Sequence, residues 1–233
     1  METVFKYFQD SWSWSLEYYP ILIQGTITTI ELTLASALLA LIISFVVGLS
    51  RFSRLRLVRV IAVIYLEFFR GTSAIVQMFF MFYVLPLLGI TFPPLVAGIL
   101  ACGLNLGSYG SEVVRSALLS VGRGQHEAAL ALNYSSYQRF RYVLIPQAIP
   151  VMIPTFGNLL IELLKLTAVA SLITISDLTF MDQIIRSQTA LTLEPFFVIL
   201  VMYFIISSVL VWFTKVAERK FAKGRDTISG EGV

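Results

Sequence analysis

The sequence predicts an all-α membrane protein with five spanning helices, and three observations carry that reading. Of 233 residues, 57% are apolar and only 13% charged, whereas a water-soluble domain carries about 25% charged residues. Mean hydropathy is +0.82. A spanning helix takes about 20 apolar residues, and stretches of that kind fall at 20–49, 58–85, 92–115, 143–164 and 195–216. A 26.1 kDa chain so occupied has no room for a soluble catalytic domain.

Residues 1–19 precede the first span. They lack a basic segment followed by a short apolar core, so a cleaved signal peptide is not expected. Trp12, Trp14, Tyr18 and Tyr19 read as an interfacial anchor on the outer side. The connection after the first span carries Arg51, Arg54, Arg56 and Arg59, and that after the third carries Arg115, Arg123, Arg139 and Arg141. The tail, 217–233, adds Arg219, Lys220, Lys223 and Arg225 next to Lys215. Basic loops stay in the cytoplasm. The expected topology is therefore amino terminus out, carboxyl terminus in, with 20–216 a single transmembrane domain. Segment 166–175 is too short to cross and, with Asp177 and Asp182 behind it, is expected to be re-entrant or interfacial on the outer side.

Polar residues line up on four of the spans. Gln24, Thr28 and Glu31 share a face of the first, and Glu67, Arg70 and Gln77 one of the second. Asn105, Tyr109 and Glu112 do so on the third, and Thr155, Asn158, Glu162 and Lys165 on the fourth. Ionisable groups held in a membrane usually face a bundle interior or a watery cavity. Glu31, Glu67, Arg70 and Asn105 each fall on the order of 15 Å from the start of their span, near the midplane. Simple mutual neutralisation of Glu67 with Arg70, and of Glu162 with Lys165, is the competing account. Agreement among four helices favours a polar pathway. Opposite the Asn105 stripe, Gly103, Gly107 and Ser111 form a ridge for close helix packing. Pro146, Pro150, Pro154 and Gly157 predict bends or unwinding in the fourth span.

The loop at about 116–142 is too polar to cross and too regular for disorder. Its centre, Gly124 to Asn133, predicts a short helix of strong formers with Asn133 as a left-handed cap. The small side chains of Ala128 and Ala129 would let that helix lie deep in a partner's groove, with Glu127 meeting a basic group there. A surface helix covering the bundle end is the simpler account from composition. One Cys and one His exclude a disulfide framework and a Cys/His metal site, and His126 reads as a solvent or interface residue. No metal site, catalytic residue or nucleic-acid partner is expected. The chain has no G-x-x-x-x-G-K-[ST] run, so any nucleotide-driven work needs another subunit.

Glu127-Ala128-Ala129, the turn residue Asn133 and Val143-Leu144-Ile145-Pro146 resemble the E-A-A-x3-G-x9-I-x-L-P loop of ATP-binding-cassette (ABC) importer permeases, departing at 133, 143 and 145. Asn tolerates the left-handed conformation best after Gly, which leaves the turn intact. Glu67-Phe68-Phe69-Arg70-Gly71-Thr72 with Gln77 is similar to the second-helix motif of the polar-amino-acid (histidine/glutamine/glutamate-type) branch, which commonly has Pro-Leu where Ser73-Ala74 stand. Arg70 to Ala74, Ala131-Leu132-Asn133 and Ser171-Leu172-Ile173-Thr174 look most like ectoine and hydroxyectoine permeases.

The resemblance implies the type I ABC importer permease fold in a bacterial cytoplasmic (inner) membrane. It implies two ATPase subunits that bind ATP and Mg, this chain holding no cofactor. It further implies a second permease, identical or homologous, and an extracellular or periplasmic solute-binding protein. Gly124, Glu127, Ala128, Ala129, Asn133 and Pro146 would couple to the ATPase. Glu67, Arg70, Gln77, Asn105, Tyr109, Glu112, Glu162 and Lys165 would line the pathway. Leu166 stands where that branch often carries an acidic residue after Lys165, which argues for a small zwitterion over a cationic amino acid. The rival reading is a self-contained secondary transporter or channel, which would usually show internal repeats and more spans.

Overall fold

The computed structural model describes the backbone of residues 2–226 and the side chains of residues 17–221. Helix α1 (Glu2–Ser50) runs without interruption through Pro20, so residues 2–19 continue the first span as helix. The side chains of Trp12, Trp14, Lys223 and Arg225 lie outside the described residues. After a turn come α2 (Arg56–Gly71), the short α3 (Ala74–Phe79), a π-helical stretch (Phe80–Val84) and a 3-10 turn (Leu85–Leu88). Helix α4 (Pro94–Leu119) leads to α5 (Arg123–Ala131), α6 (Ser136–Arg139) and a π-helical turn (Phe140–Leu144). Then follow α7 (Ile145–Thr167), a 3-10 segment (Ala168–Ile173), α8 (Leu178–Thr189) and α9 (Leu193–Asp226).

The count of crossings differs from expectation. Three helical stretches are long and apolar enough to cross a membrane, Glu17–Ser50, Ser136–Ile173 and Leu193–Phe221, and a bent pair adds a fourth. The third expected span corresponds to α4, the most deeply enclosed helix. It faces neighbouring helices over most of its surface, so small and polar residues replace the lipid-facing aliphatics that mark a span. The second expected span is not one rod: Arg56–Gly71 and Ala74–Leu88 meet at 101°. Gly71 is a weak helix former, and Thr72 and Ser73 are extended, with ψ of 150° and 133°. The fourth keeps Pro150 and Pro154 inside a continuous helix. Its irregularity is the π turn immediately before Pro146.

Helix α4 is the axis of the bundle, packed most extensively on α1. A Cβ placed on Gly107 would stand 2.8 Å from the Cβ of Ile43 and 3.4 Å from the Ala40 carbonyl, so the ridge of small residues brings the two backbones together. Ser44 Oγ donates to the Ala40 and Gly107 carbonyls at 2.6 and 3.3 Å, a bond across the same contact. The main core gathers Leu32, Met78, Ala101, Leu106 and Leu163 from α1, α3, α4 and α7. A second cluster joins Val114, Leu118, Ala148 and Met152 beside the α5 loop. A third, Leu22, Leu178, Ile185 and Ile199, seats α8 between α1 and α9 at the opposite end.

A broken span, a central helix and the candidate coupling loop

The break between α2 and α3 strips the end of α2 of its backbone partners. In an unbroken helix the amides of Thr72 and Ser73 would reach the carbonyls of Phe68 and Phe69. Here side chains replace them. Thr72 Oγ1 donates to the Phe68 carbonyl at 2.8 Å. Gln77 Nε2 and Asn105 Nδ2 donate to the Phe69 carbonyl at 3.0 and 2.9 Å. Gln77 also reaches the Thr72 carbonyl and hydroxyl at 3.3 and 2.6 Å. Both amides, expected as pathway groups, are buried and spend their donors on this backbone.

Beside them, the guanidinium of Arg70 lies 5.5 Å from the centre of the Tyr109 ring, a cation–π distance. Arg70 makes no ion pair with Glu67 among the described residues. Arg56, Arg59, Glu67 and Arg70 are all exposed and, at i, i+3, i+11 and i+14, occupy one face of α2. The adjacent exposed stripe, Leu57, Ile61, Ile64 and Phe68, is apolar. Glu31, Glu162 and Lys165 are likewise exposed and without an ion pair among the described residues. Glu112 sits apart from this group. Its two carboxylate oxygens take Arg51 and, at 3.5 Å, Arg115, which braces the foot of α4 against the end of α1.

The loop helix α5 presents Gly124, Glu127 and Ala128 outward, while Ala129 is buried against the bundle. Asn133 has φ 56°. The Tyr134 amide bonds the Ala129 carbonyl at 3.0 Å and the Asn133 amide bonds the Leu130 carbonyl at 2.9 Å, the paired closure of a Schellman motif. Gln147 Nε2 donates to Gln125 Oε1 at 3.1 Å, which ties α5 to α7 beside the exposed Pro146.

A polar network at the other end was not visible as such in the sequence. Asp177 caps α8, accepting from the Phe180 and Thr179 amides at 2.9 and 3.3 Å and from the Tyr203 hydroxyl at 3.2 Å. Thr29 Oγ1 of α1 accepts from the Leu178 amide at 3.0 Å. Asp182 pairs with Arg186 at 2.9 Å, and Arg186 lies 4.3 Å from the Phe196 ring centre. Burial pushes the Asp177 carboxyl up to about 6 against the pull of its amide and hydroxyl donors. Burial raises Asp182 too, with Arg186 opposing. An acidic residue just before a helix is a recognisable cap signal, but the bonds from Leu178 to Thr29 and from Tyr203 to Asp177, spanning 149 and 26 positions, had no local trace.

Residues 38–223 match the family model described as the inner membrane component of binding-protein-dependent transport systems. The chain belongs to that family. Over 215 residues it is 41% identical to a probable amino-acid ABC transporter permease of Sinorhizobium fredii, covering 90% of each chain. It is 33% identical over 197 residues to the L-cystine transport system permease of Bacillus subtilis, covering 82% of this chain and 84% of that one. A solved amino acid ABC transporter with histidines superposes with a TM-score of 0.83 at 32% identity, over 88% of this chain and 96% of the other. The MetNI methionine ABC transporter in inward-facing form shares the fold, with a TM-score of 0.76 at 21% identity over 88% and 98% of the two chains. The importer permease thus has the type I ABC importer fold. As in its relatives, the ATPase site belongs to a separate subunit.

Proposed function

We propose that this importer permease admits amino acids or similar small zwitterions and couples their passage to ATP hydrolysis in two partner subunits. The observation that carries the reading is α5: an outward-facing Glu127-Ala128 pair on a short helix closed by a Schellman turn and bonded to α7. Such a helix can be pushed as a unit. ATP and Mg would be held by the ATPase subunits, and Gly124, Glu127, Ala128, Asn133 and Pro146 form the surface they grip, while the buried Ala129 seats the helix on the bundle.

The charged face of α2, with Glu31, Glu162 and Lys165, is exposed in a single chain, yet charge facing hydrocarbon costs several kcal/mol per group. A second permease, identical or homologous, therefore covers it and encloses the pathway. Within that pathway Arg70, steadied by Tyr109, attracts a carboxylate, and Glu67 or Glu31 attracts an ammonium or amidinium. Relatives named for amino acids, glutamine and cystine support the amino-acid class. Among zwitterions, ectoine or hydroxyectoine is favoured by Arg70-Gly71-Thr72-Ser73-Ala74 and Ser171-Leu172-Ile173-Thr174. A binding protein delivers the solute at the α8 end, and the basic loops face the cytoplasm of a bacterial inner membrane.

Glu127→Lys in the reconstituted transporter tests the coupling. Uptake and solute-stimulated ATP hydrolysis should collapse while membrane insertion persists. Unchanged uptake, or crosslinks that place Ala128 away from any ATPase, would refute it. Calorimetric titration of the cognate binding protein with ectoine, glutamine and cystine decides the solute.

A further inference from the structure

The carbonyl of Phe69 is held by two amides from different elements, Gln77 on α3 and Asn105 on α4. Neither bond is needed to fold a regular helix. Both exist because the chain is broken at Gly71 to Ser73, and in a bilayer each freed backbone group must find a partner inside the protein. The break is thus closed by side chains that can let go without unwinding α2 or α4.

Their positions give the arrangement a mechanical sense. Asn105 lies one helical turn from Tyr109, which faces Arg70, and α4 continues past the Glu112 brace to α5. The hydroxyl of Tyr65 on α2 donates to the Leu104 carbonyl of α4, a second attachment one turn before Phe69. Helix α3 is joined to α2 through Gln77 and the extended Thr72-Ser73 link, and it rests on α4 through the apolar packing of Met78. Gln77 Oε1 is buried without a hydrogen-bond partner, so this amide is committed on its donor side alone.

We propose that Asn105 and Gln77 are positioning residues for import. Asn105 locks the Arg70-bearing end of α2 to α4, so that this end travels with the helix that feeds the coupling loop, while Gln77 marks the joint about which α3 swings. The proposal rests on the coupling role of α5 given above. It assigns the two amides a task distinct from lining the pathway.

The test uses the full transporter in nanodiscs, with spin labels introduced at the exposed positions Phe68 and Ser116, and in a second preparation at Leu87 and Ser116. Labelled permease is diluted with unlabelled copies so that distances within one chain are read. The single native cysteine, Cys102, is fully buried. Between the nucleotide-free and vanadate-trapped states the Phe68–Ser116 distance should stay within its own distribution width, and the Leu87–Ser116 distance should shift. Asn105→Leu with Gln77→Met keeps the volumes but removes both donors. It should broaden the Phe68–Ser116 distribution and lower uptake per ATP hydrolysed on the order of tenfold. Each single variant retains one donor to Phe69 and should lose less than half that effect on a logarithmic scale.

A wild-type Phe68–Ser116 distance that changes with nucleotide, or a double variant indistinguishable from wild type, overturns the proposal. Should the double variant fail to fold, Gln77→Glu and Asn105→Asp, read singly, replace each donor by an acceptor facing the same carbonyl, and an unaltered distribution in both overturns it equally. If nucleotide shifts neither distance in the wild type, the coupling role of α5 fails. The nucleotide-free comparison of wild type with variants still judges the clamp.

Discussion

Replacing Asp177 by asparagine should remove a pH dependence from the docking of α8. The wild-type carboxyl is fully buried, and burial raises it to about 6 from an ordinary 3.8, against the Phe180 and Thr179 amides and the Tyr203 hydroxyl that favour the charged form. A carboxyl raised by folding binds its proton more tightly folded than unfolded. Its contribution is therefore complete below pH 4 and fades as pH climbs through about 6. Two pH units correspond to at most about 3 kcal/mol. Asparagine keeps an oxygen for the Phe180 amide and caps as well as aspartate, but it has no charge to bury. Hydrogen exchange of the Thr179 to Met181 amides, corrected for intrinsic rates, should show greater protection at pH 5 than at pH 7.5 in the wild type and equal protection in Asp177→Asn. Asp182 shifts in the same direction, so Asp182→Asn identifies any residue of the effect. Protection that rises with pH, or the same trend in both Asn variants, would refute the account.

Two further outcomes follow from packing and turn geometry. Gly107→Val places side-chain carbon 2.7–2.8 Å from Ile43 and should destabilise the α1–α4 contact by about 1–3 kcal/mol. That reads as a lowered melting temperature in detergent, while Gly122→Val, with nothing within 4 Å, changes little. At Asn133, where φ is 56°, glycine should be tolerated. Valine should cost about 1–2 kcal/mol and make the α5 loop more susceptible to limited proteolysis, as measured by cleavage rate between α5 and α6.

The α5 loop was the most legible part of the candidate site. Its helix, its left-handed Asn133 and the α7 segment that follows are local, and local rules of propensity and capping reach them. The polar stripes were legible as faces but not as functions. Helical period set Gln77 on one face with Glu67 and Arg70, whereas the 101° break puts it on α3, and period could not reveal that Gln77 and Asn105 would both turn to the Phe69 carbonyl, because that need arises only where α2 stops. Glu112 shared a stripe with Tyr109 by period. Arg51, 61 positions earlier, claimed it once α1 and α4 lay side by side and parallel.

Composition and hydropathy by themselves decided that this chain lives in a bilayer as helices, because apolar surface of this extent has no other solvent. The spacing of the loop residues decided its family. The tertiary structure alone decided that the second span is broken and where α8 docks. It also decided which polar groups are spent on the protein's own backbone. Each of those depends on a backbone or side-chain group finding its partner far along the chain, and in an apolar medium such groups must be satisfied by whatever element folding brings within reach.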